Sequence, residues 1–371
     1  MESMARLKSK ASVDPGFWRN KKVLVTGHTG FKGAWLCLWL AQMGAKVIGM
    51  ALPPPTKPSF FSAAKIEDVI ERSVILDICD REKVLRTLRR VKPKIIFHLA
   101  AQSLVRDSYK DPVTTYMTNV TGTVNLFEAV RVVSSVRAVI NVTTDKCYEN
   151  IESSRRYREG DPLGGYDPYS SSKACSEIVT AAYRRSFFNP GEYKKHGVAV
   201  ATARAGNVIG GGDWARERLV PDCIRSLMKN EDIILRNPQA IRPWQHVLEP
   251  LCGYLMLAEK LVINGSKFAT AWNFGPDHRD VLTVKEVADR ICHQWGGGIK
   301  VKLLPGRHPH EAKFLMLDIS KVKRELGWKP RMDLKAAVQE TVAWYKGWHQ
   351  KQNMQAYSIR QIESYLRGQN Q

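Results

Sequence analysis

The stretch Lys22-Val-Leu-Val-Thr26-Gly27-His-Thr-Gly30-Phe-Lys-Gly33 decides how the rest of the chain is read. Its short apolar, β-branched start predicts a strand over 22–26, and helical spacing runs from Phe31 to Met43. A tight strand-to-helix turn needs glycine's freedom in φ, and close approach of a pyrophosphate leaves no room for a Cβ. The helix start offers unpaired N–H groups and a positive dipole end to phosphates. Gly27, Thr29, Gly30, Phe31, Lys32 and Gly33 are therefore candidate contacts to a dinucleotide cofactor. The spacing is G-x-x-G-x-x-G, and Met50-Ala-Leu-Pro-Pro-Pro-Thr56 stands where an acidic residue for the adenosine ribose is usual. That segment discriminates neither NAD nor NADP. Asp77-Ile78, at the end of a later strand, either meets the adenine or supplies a helix cap through Asp77.

Outward from the glycine turn, strands are expected at Lys46 to Met50, Ser73 to Leu76, Lys94 to Leu99, Val136 to Thr143 and Val198 to Arg204. Helical patterns separate them over Arg81 to Val91, Asp111 to Val133 and Tyr169 to Phe188. This alternation predicts an α/β protein: a Rossmann-like, doubly wound parallel sheet. Trp35 and Trp39 fall on one helix face and are expected to pack against the sheet. Beyond Gly206 the pattern is less regular, with helices over Pro221 to Met228, Val247 to Leu261, Thr283 to Gln294 and Leu334 to Trp348. The resulting division is a basic tail (1–20), a dinucleotide-binding domain (21–205), a mainly substrate-binding smaller α/β lobe (206–350) and a C-terminal tail (351–371). Some segments of the lobe should return to the first domain, leaving a cleft between the two.

Composition narrows the function. No run of about 18 apolar residues lacks charges, so no membrane span is expected. The polar, basic first twenty residues lack the pattern of a secretory leader. Seven dispersed cysteines, none at ligand or redox spacing, fit a reducing cytoplasmic compartment. The net charge of +21 comes from scattered pairs such as Lys21-Lys22 and Lys194-Lys195, with the densest group at Arg155, Arg156 and Arg158. Without a nucleic-acid motif this reads as a solvated basic surface that also draws in small anions, and no nucleic-acid partner is expected. His308 and His310 have no third ligand at a sensible spacing, so no metal is assigned.

Tyr169-Ser-Ser-Ser-Lys173 puts a phenol and an ammonium on one helix face. An unperturbed phenol, with pKa about 10, is a poor base at neutral pH, and a nearby cation favours the phenolate. With the glycine turn, Thr144 and His98-Leu-Ala-Ala-Gln102, this pair resembles the extended short-chain dehydrogenase/reductase family over nearly the whole chain. The resemblance implies that Thr144 binds the sugar C4 oxygen, Tyr169 is the base and Lys173 holds the nicotinamide ribose of NAD. Leu99, Ala100, Ala101 and Thr118 would line the cofactor.

Asp145-Lys146, directly after Thr144, resembles the acid and base that sugar-nucleotide 4,6-dehydratases add to this set. Arg204-Ala-Gly-Asn-Val-Ile-Gly-Gly-Gly-Asp-Trp214, Arg242-Pro-Trp-Gln-His-Val247, His310-Glu-Ala312 and Leu326-Gly-Trp-Lys-Pro330 resemble the branch acting on CDP-glucose. The implied reaction is redox-neutral, with hydride moving from C4 to C6 through bound NAD and water lost. Asp145 would protonate the departing C6 hydroxyl. Lys146 would either remove the C5 proton, or stay charged and stabilise the enolate. Arg218 and Arg242 are candidates for the diphosphate. Asn207 would add a neutral hydrogen bond, Asp213, Trp214 and Leu219 would line the nucleotide-base end, and Ser103 and Arg106 would touch sugar or diphosphate. Another nucleotide-sugar dehydratase or a 4-epimerase is the nearest alternative, and a non-catalytic cofactor-binding regulator a remote one. The family implies a homodimer or homotetramer.

Overall fold

Seven parallel strands form the central sheet of the computed structural model, which describes residues 13–152, 155–277, 281–296, 298–299, 301–303 and 314–368. They are β1 (Lys22–Thr26), β2 (Lys46–Ala51), β3 (Arg72–Ile75), β4 (Ile95–His98), β5 (Ala138–Val142), β6 (Ala199–Ala205) and β7 (Ala271–Phe274). Their order is β7-β6-β5-β4-β1-β2-β3, reversing direction of travel between β1 and β4. In sheets wound this way, ligands bind outside the carboxyl ends of the strands at that reversal. The central strands β1, β4 and β5 are buried almost without a break, because helices cover both faces.

Local chemistry sets the helix boundaries. Asp80 caps the helix Arg81–Val91 by accepting from the Lys83 amide at 3.0 Å, and Lys92 ends it in the left-handed region. Asp167 caps the long helix Pro168–Ser186, accepting from the Ser170 amide at 2.9 Å, with proline at the helix start. A cap of this kind contributes about 1 kcal/mol. The helical stretch expected over Asp111 to Val133 is not uniform. Pro112–Tyr116 leads into a wider π-turn, Met117–Thr121, before the α-helix Gly122–Val132. In that turn Asn119 faces inward, donating to the Gln102 carbonyl and Ser172 Oγ and accepting from the Gln102 amide. Such insertions of one residue into a helix recur at functional sites.

The second half builds a smaller lobe from three two-stranded ribbons and the helices Leu219–Lys229, Val284–Trp295 and Leu334–His349. It also gives segments back to the first half. β7 pairs with β6, and the helix Leu248–Asn264 packs under β5 and β6. Both tails need correction where they are described. Residues 13–20 pack onto the body of the protein: Val13 and Trp18 are buried, and the Trp18 indole donates to Glu259 Oε1 at 2.7 Å. Beyond residue 350, the helix Met354–Arg367 packs on the helix Phe31–Gln42, where Tyr365 meets Trp39 edge-on. Trp35 and Trp39 accordingly reach past the sheet. Trp35 stacks on Phe60 with ring centroids 4.4 Å apart and donates to the Gly211 carbonyl.

Candidate active site

The glycine turn forms a cradle. Gly27 has φ +75°, and a Cβ there would lie 2.7 Å from the Ala100 amide nitrogen. A Cβ on Gly33 would lie 2.1 Å from the Gly27 carbonyl oxygen, so the helix Phe31–Gln42 starts hard against the strand end. Gly30 precedes that helix with no side-chain cap, leaving N–H groups available to an anion. Thr26 Oγ1 accepts from the amides of Leu99 and Ala100, each at 3.1 Å, and fixes the Leu99-Ala100-Ala101 backbone opposite. Asp77 caps no helix, since Asp80 has that place; its carboxylate accepts from the Cys79 amide at 2.8 Å. The glycine turn, Asp77, Ile78, the Leu99-Ala100-Ala101 segment and Thr118 all open on one cleft of about 1700 Å³. The shape and donors fit a dinucleotide.

The Thr144, Tyr169 and Lys173 side chains enter the same cleft from two elements. Thr144 follows β5 and caps a short turn, Asp145–Cys147, accepting from the Lys146 amide at 3.4 Å and donating to Asp145 Oδ1 at 3.0 Å. Asp145 Oδ2 is buried, has no hydrogen-bond partner among the described residues and lies against Gly206, where a Cβ would come within 2.9 Å of it. Tyr169 sits in the first turn of Pro168–Ser186, its amide donating to Ser108 Oγ at 3.1 Å. Burial pushes its phenol up to about 12, with the Thr144 hydroxyl pulling the other way. Lys173 donates to the Val142 carbonyl at 3.2 Å, and burial lowers its ammonium to about 8. In the protein alone, desolvation, helped by the negative charges of Asp145 and Asp167, outweighs the Thr144 hydroxyl and the positive charge of Arg218 at the phenol. A second cation beside Tyr169 is needed to free its proton near neutral pH.

Lys32 belongs to the cofactor cradle by sequence but also faces the reaction centre. Its Nζ donates to Tyr254 Oη at 3.4 Å. Burial lowers its ammonium to about 7, with the positive charges of Lys173 and Arg218 acting in the same direction.

Arg218, whose charge also acts on Tyr169, donates to Asp213 Oδ2 at 2.9 Å and to Ser103 Oγ at 3.0 Å. Arg106 lies 3.4 Å from Glu217 Oε2, which Arg236 also reaches. Arg242 donates to the Ile241 carbonyl at 2.9 Å. Asn207 and Leu219 line the same wall. Trp214 lines the cleft too, but its ring is packed against Tyr345 and Trp348, with centroids 5.1 and 4.7 Å away. Glu217 and Arg236 escape the sequence reading. Arg236 follows Ile233-Ile234-Leu235 as a lone charge, and only the fold brings it to Arg106. The dense basic group is paired as well, Arg155 with Asp161 and Arg158 with Asp318. Among the described residues no three metal-ligating side chains converge, and no helix is long and apolar enough to cross a membrane. The segment His308 to Ala312, including the His310-Glu-Ala312 motif, lies outside the described residues.

A seven-stranded doubly wound sheet with this tyrosine, lysine and threonine set defines the short-chain dehydrogenase/reductase class acting on nucleotide-sugars. The chain belongs, within it, to the family described as GDP-mannose 4,6 dehydratase, whose model matches residues 24–341. It is 51% identical over 354 residues to CDP-glucose 4,6-dehydratase of Salmonella typhimurium, covering 95% of this chain and 98% of that protein. The dTDP-glucose 4,6-dehydratase of Streptomyces griseus is 29% identical over 335 residues, covering 87% and 93%. Among solved structures, the dTDP-glucose 4,6-dehydratase DesIV of Streptomyces venezuelae with NAD bound is similar at a TM-score of 0.74 and 26% identity, covering 89% of this chain and 98% of that one.

Proposed function

We propose that this chain is a sugar-nucleotide 4,6-dehydratase that converts CDP-D-glucose to CDP-4-dehydro-6-deoxy-D-glucose and water. The observation that carries this reading is Thr144-Asp145-Lys146 set in one cleft with Tyr169 and Lys173, with Asp145 Oδ2 left unpartnered. A 4-epimerase needs only the threonine. The 51% identity to a CDP-glucose 4,6-dehydratase supports the CDP substrate over other nucleotide-sugars. NAD is the cofactor, by likeness to the related dehydratase solved with it and by the fit of the Gly27–Gly33 cradle. When bound, it accepts hydride from sugar C4 and returns it to C6.

The residues divide the proton work. Tyr169 takes the C4 hydroxyl proton, and Lys173 holds the phenolate by its charge. Thr144 orients the C4 oxygen. The ketone formed at C4 acidifies C5, and Lys146 either removes that proton or stabilises the enolate. Asp145 donates a proton to the C6 hydroxyl as it leaves as water, and C5 takes a proton back when hydride arrives at C6, so one water is lost overall. Arg218 and Arg242 engage the diphosphate, with Arg106 and Arg236 supporting them. Binding of the anion then competes with Asp213 and Glu217 for the same guanidinium groups. We place the enzyme in the cytoplasm as a homodimer or homotetramer, and take residues 206–350 as the main substrate-binding lobe.

The test is turnover of CDP-glucose, dTDP-glucose, UDP-glucose and GDP-mannose in parallel, followed by the near-ultraviolet absorbance of the 4-keto product in alkali and by loss of water in mass. Signal with CDP-glucose alone establishes reaction and substrate. Turnover of another sugar retains the dehydratase and overturns the CDP assignment. No water loss from any of them, with NAD supplied, overturns the dehydratase.

A further inference from the structure

The helix Pro168–Ser186 carries Tyr169, Lys173 and Glu177 at four-residue steps, so all three share a face. Tyr169 and Lys173 line the cleft, whereas Glu177 lies behind it in the core, 3% exposed. Its Oε1 accepts from the Thr143 hydroxyl at 2.5 Å, and its Oε2 accepts from the Thr202 hydroxyl and from Arg204, each at 2.8 Å. Arg204 also donates to Tyr148 Oη at 2.7 Å, and Tyr148 donates to Asn273 Oδ1 at 2.7 Å. Thr143 immediately precedes Thr144, and Tyr148 lies two residues beyond Lys146. The Glu177–Arg204 pair therefore grips the Thr144-Asp145-Lys146 segment on both sides and ties it to the helix bearing Tyr169.

We propose that Glu177 and Arg204 are positioning residues for the reaction: they index the helix of Tyr169 and Lys173 against the segment of Thr144, Asp145 and Lys146. The inference rests on the proposed dehydratase for its kinetic readout alone. A buried ion pair adds little net stability over an apolar packing of the same volume, so fixing geometry and charge is the contribution left to it. The charge matters through Lys173. Burial opposes charge on Glu177, but Arg204 and the two threonines hold the carboxyl below the ordinary glutamate range. Its anion, one helical turn from Lys173, raises the affinity of that amine for its proton. Other titratable groups around Lys173 are Tyr169 one turn before it, Cys147 after β5, His98 at the end of β4 and Lys32 from the glycine turn. Among these, Glu177 has the strongest influence favouring the ammonium.

The experiment compares the full-length protein with Glu177→Gln and Thr143→Val. Two quantities are read: the Lys173 ammonium titration by heteronuclear NMR, assigned by its loss in Lys173→Met, and steady-state kinetics with CDP-glucose. Glu177→Gln should move the Lys173 titration down by about one pH unit. It should lower kcat about tenfold or more with KM little changed, and shift the alkaline limb of kcat in the same direction. Thr143→Val keeps the charge and removes one grip, so kcat should fall with the Lys173 titration in place. A folded Glu177→Gln that titrates like wild type, or loses activity with an unmoved alkaline limb, overturns the proposal. If Glu177→Gln does not fold, Thr143→Val decides: unchanged kcat overturns it. The titration needs no substrate, so it stands even if wild type turns over none of the sugars and the dehydratase reading fails.

Discussion

The Thr144 hydroxyl donates to Asp145 Oδ1 across 3.0 Å. One carboxyl oxygen is thereby occupied by the residue proposed to hold the sugar C4 oxygen, and the other, Oδ2, is left without a partner among the described residues. A buried polar atom without a partner costs roughly 1–3 kcal/mol. A substrate hydroxyl reaching Oδ2 relieves that cost, which couples sugar binding to the placement of the acid.

Replacing Asp145 by Asn preserves the acceptor for Thr144 and removes the transferable proton. Dehydration should fall by about 10²–10⁴-fold. Oxidation at C4 should survive, so NADH absorbance should accumulate on mixing with substrate. Equal loss of both partial reactions would remove Asp145 from the acid role.

Tyr169→Phe should abolish both partial reactions while leaving NAD affinity within a few-fold, since it removes one oxygen from the wall of a large cleft. Because burial holds the phenol near 12 in the protein alone, the base must be populated by nearby cations. Activity should therefore rise with pH on the acid side as Tyr169 loses its proton, and fall once Lys173, near 8, loses its own. A profile without an acid limb and without a fall through pH 8 would show that neither titration governs turnover.

Arg218→Met removes the donor to Asp213 and Ser103 and should raise KM for the nucleotide-sugar about tenfold or more, with the affinity for NAD unchanged. Titration of each ligand by calorimetry checks it. A matching loss of NAD affinity would place Arg218 at the cofactor instead.

Glu249 links pH to stability. It is 1% exposed and accepts from the amides of Arg331 and Met332 at 2.9 and 2.7 Å, and from the Tyr365 hydroxyl. Burial raises its carboxyl to about 7 despite these donors. With the folded value above the unfolded one, its contribution is complete below about pH 4.5 and is lost as pH rises through 7. The contribution at stake is on the order of 3 kcal/mol. Glu249→Gln keeps the acceptor oxygen and should flatten the change in Tm between pH 5 and 8. A variant with the wild-type slope would assign that dependence elsewhere.

How much was legible follows from how local each signal is. β1 and the helix Arg81–Val91 have the limits the sequence predicts, because β-branched runs, an Asp cap and helical spacing act over a few residues. β7 was not legible. Ala-Trp-Asn-Phe has no periodicity, and it becomes a strand by pairing with β6. The last helix was missed, although Met354, Ile362 and Tyr365 fall on its buried face together with the polar Ser358 and Gln361. In the cleft, the contiguous motifs Thr144-Asp145-Lys146 and Tyr169 to Lys173 stood out in the sequence because each is confined to one turn or strand end, and both line the cleft. Arg236 with Glu217, and Glu177 with Arg204, were not, because each pair is separated in sequence and joined only by the fold.

The place of β7 has a consequence for how the protein is made. While the chain leaves the ribosome, β6 stays an open edge with unpaired amides and carbonyls until Ala271–Phe274 has emerged, well after the glycine turn and the helix Pro168–Ser186 are complete. A fragment ending at residue 205 would keep that edge permanently. It would lose the helix Leu248–Asn264 beneath β5 and β6 as well, so the cofactor-binding half should associate or aggregate rather than fold alone.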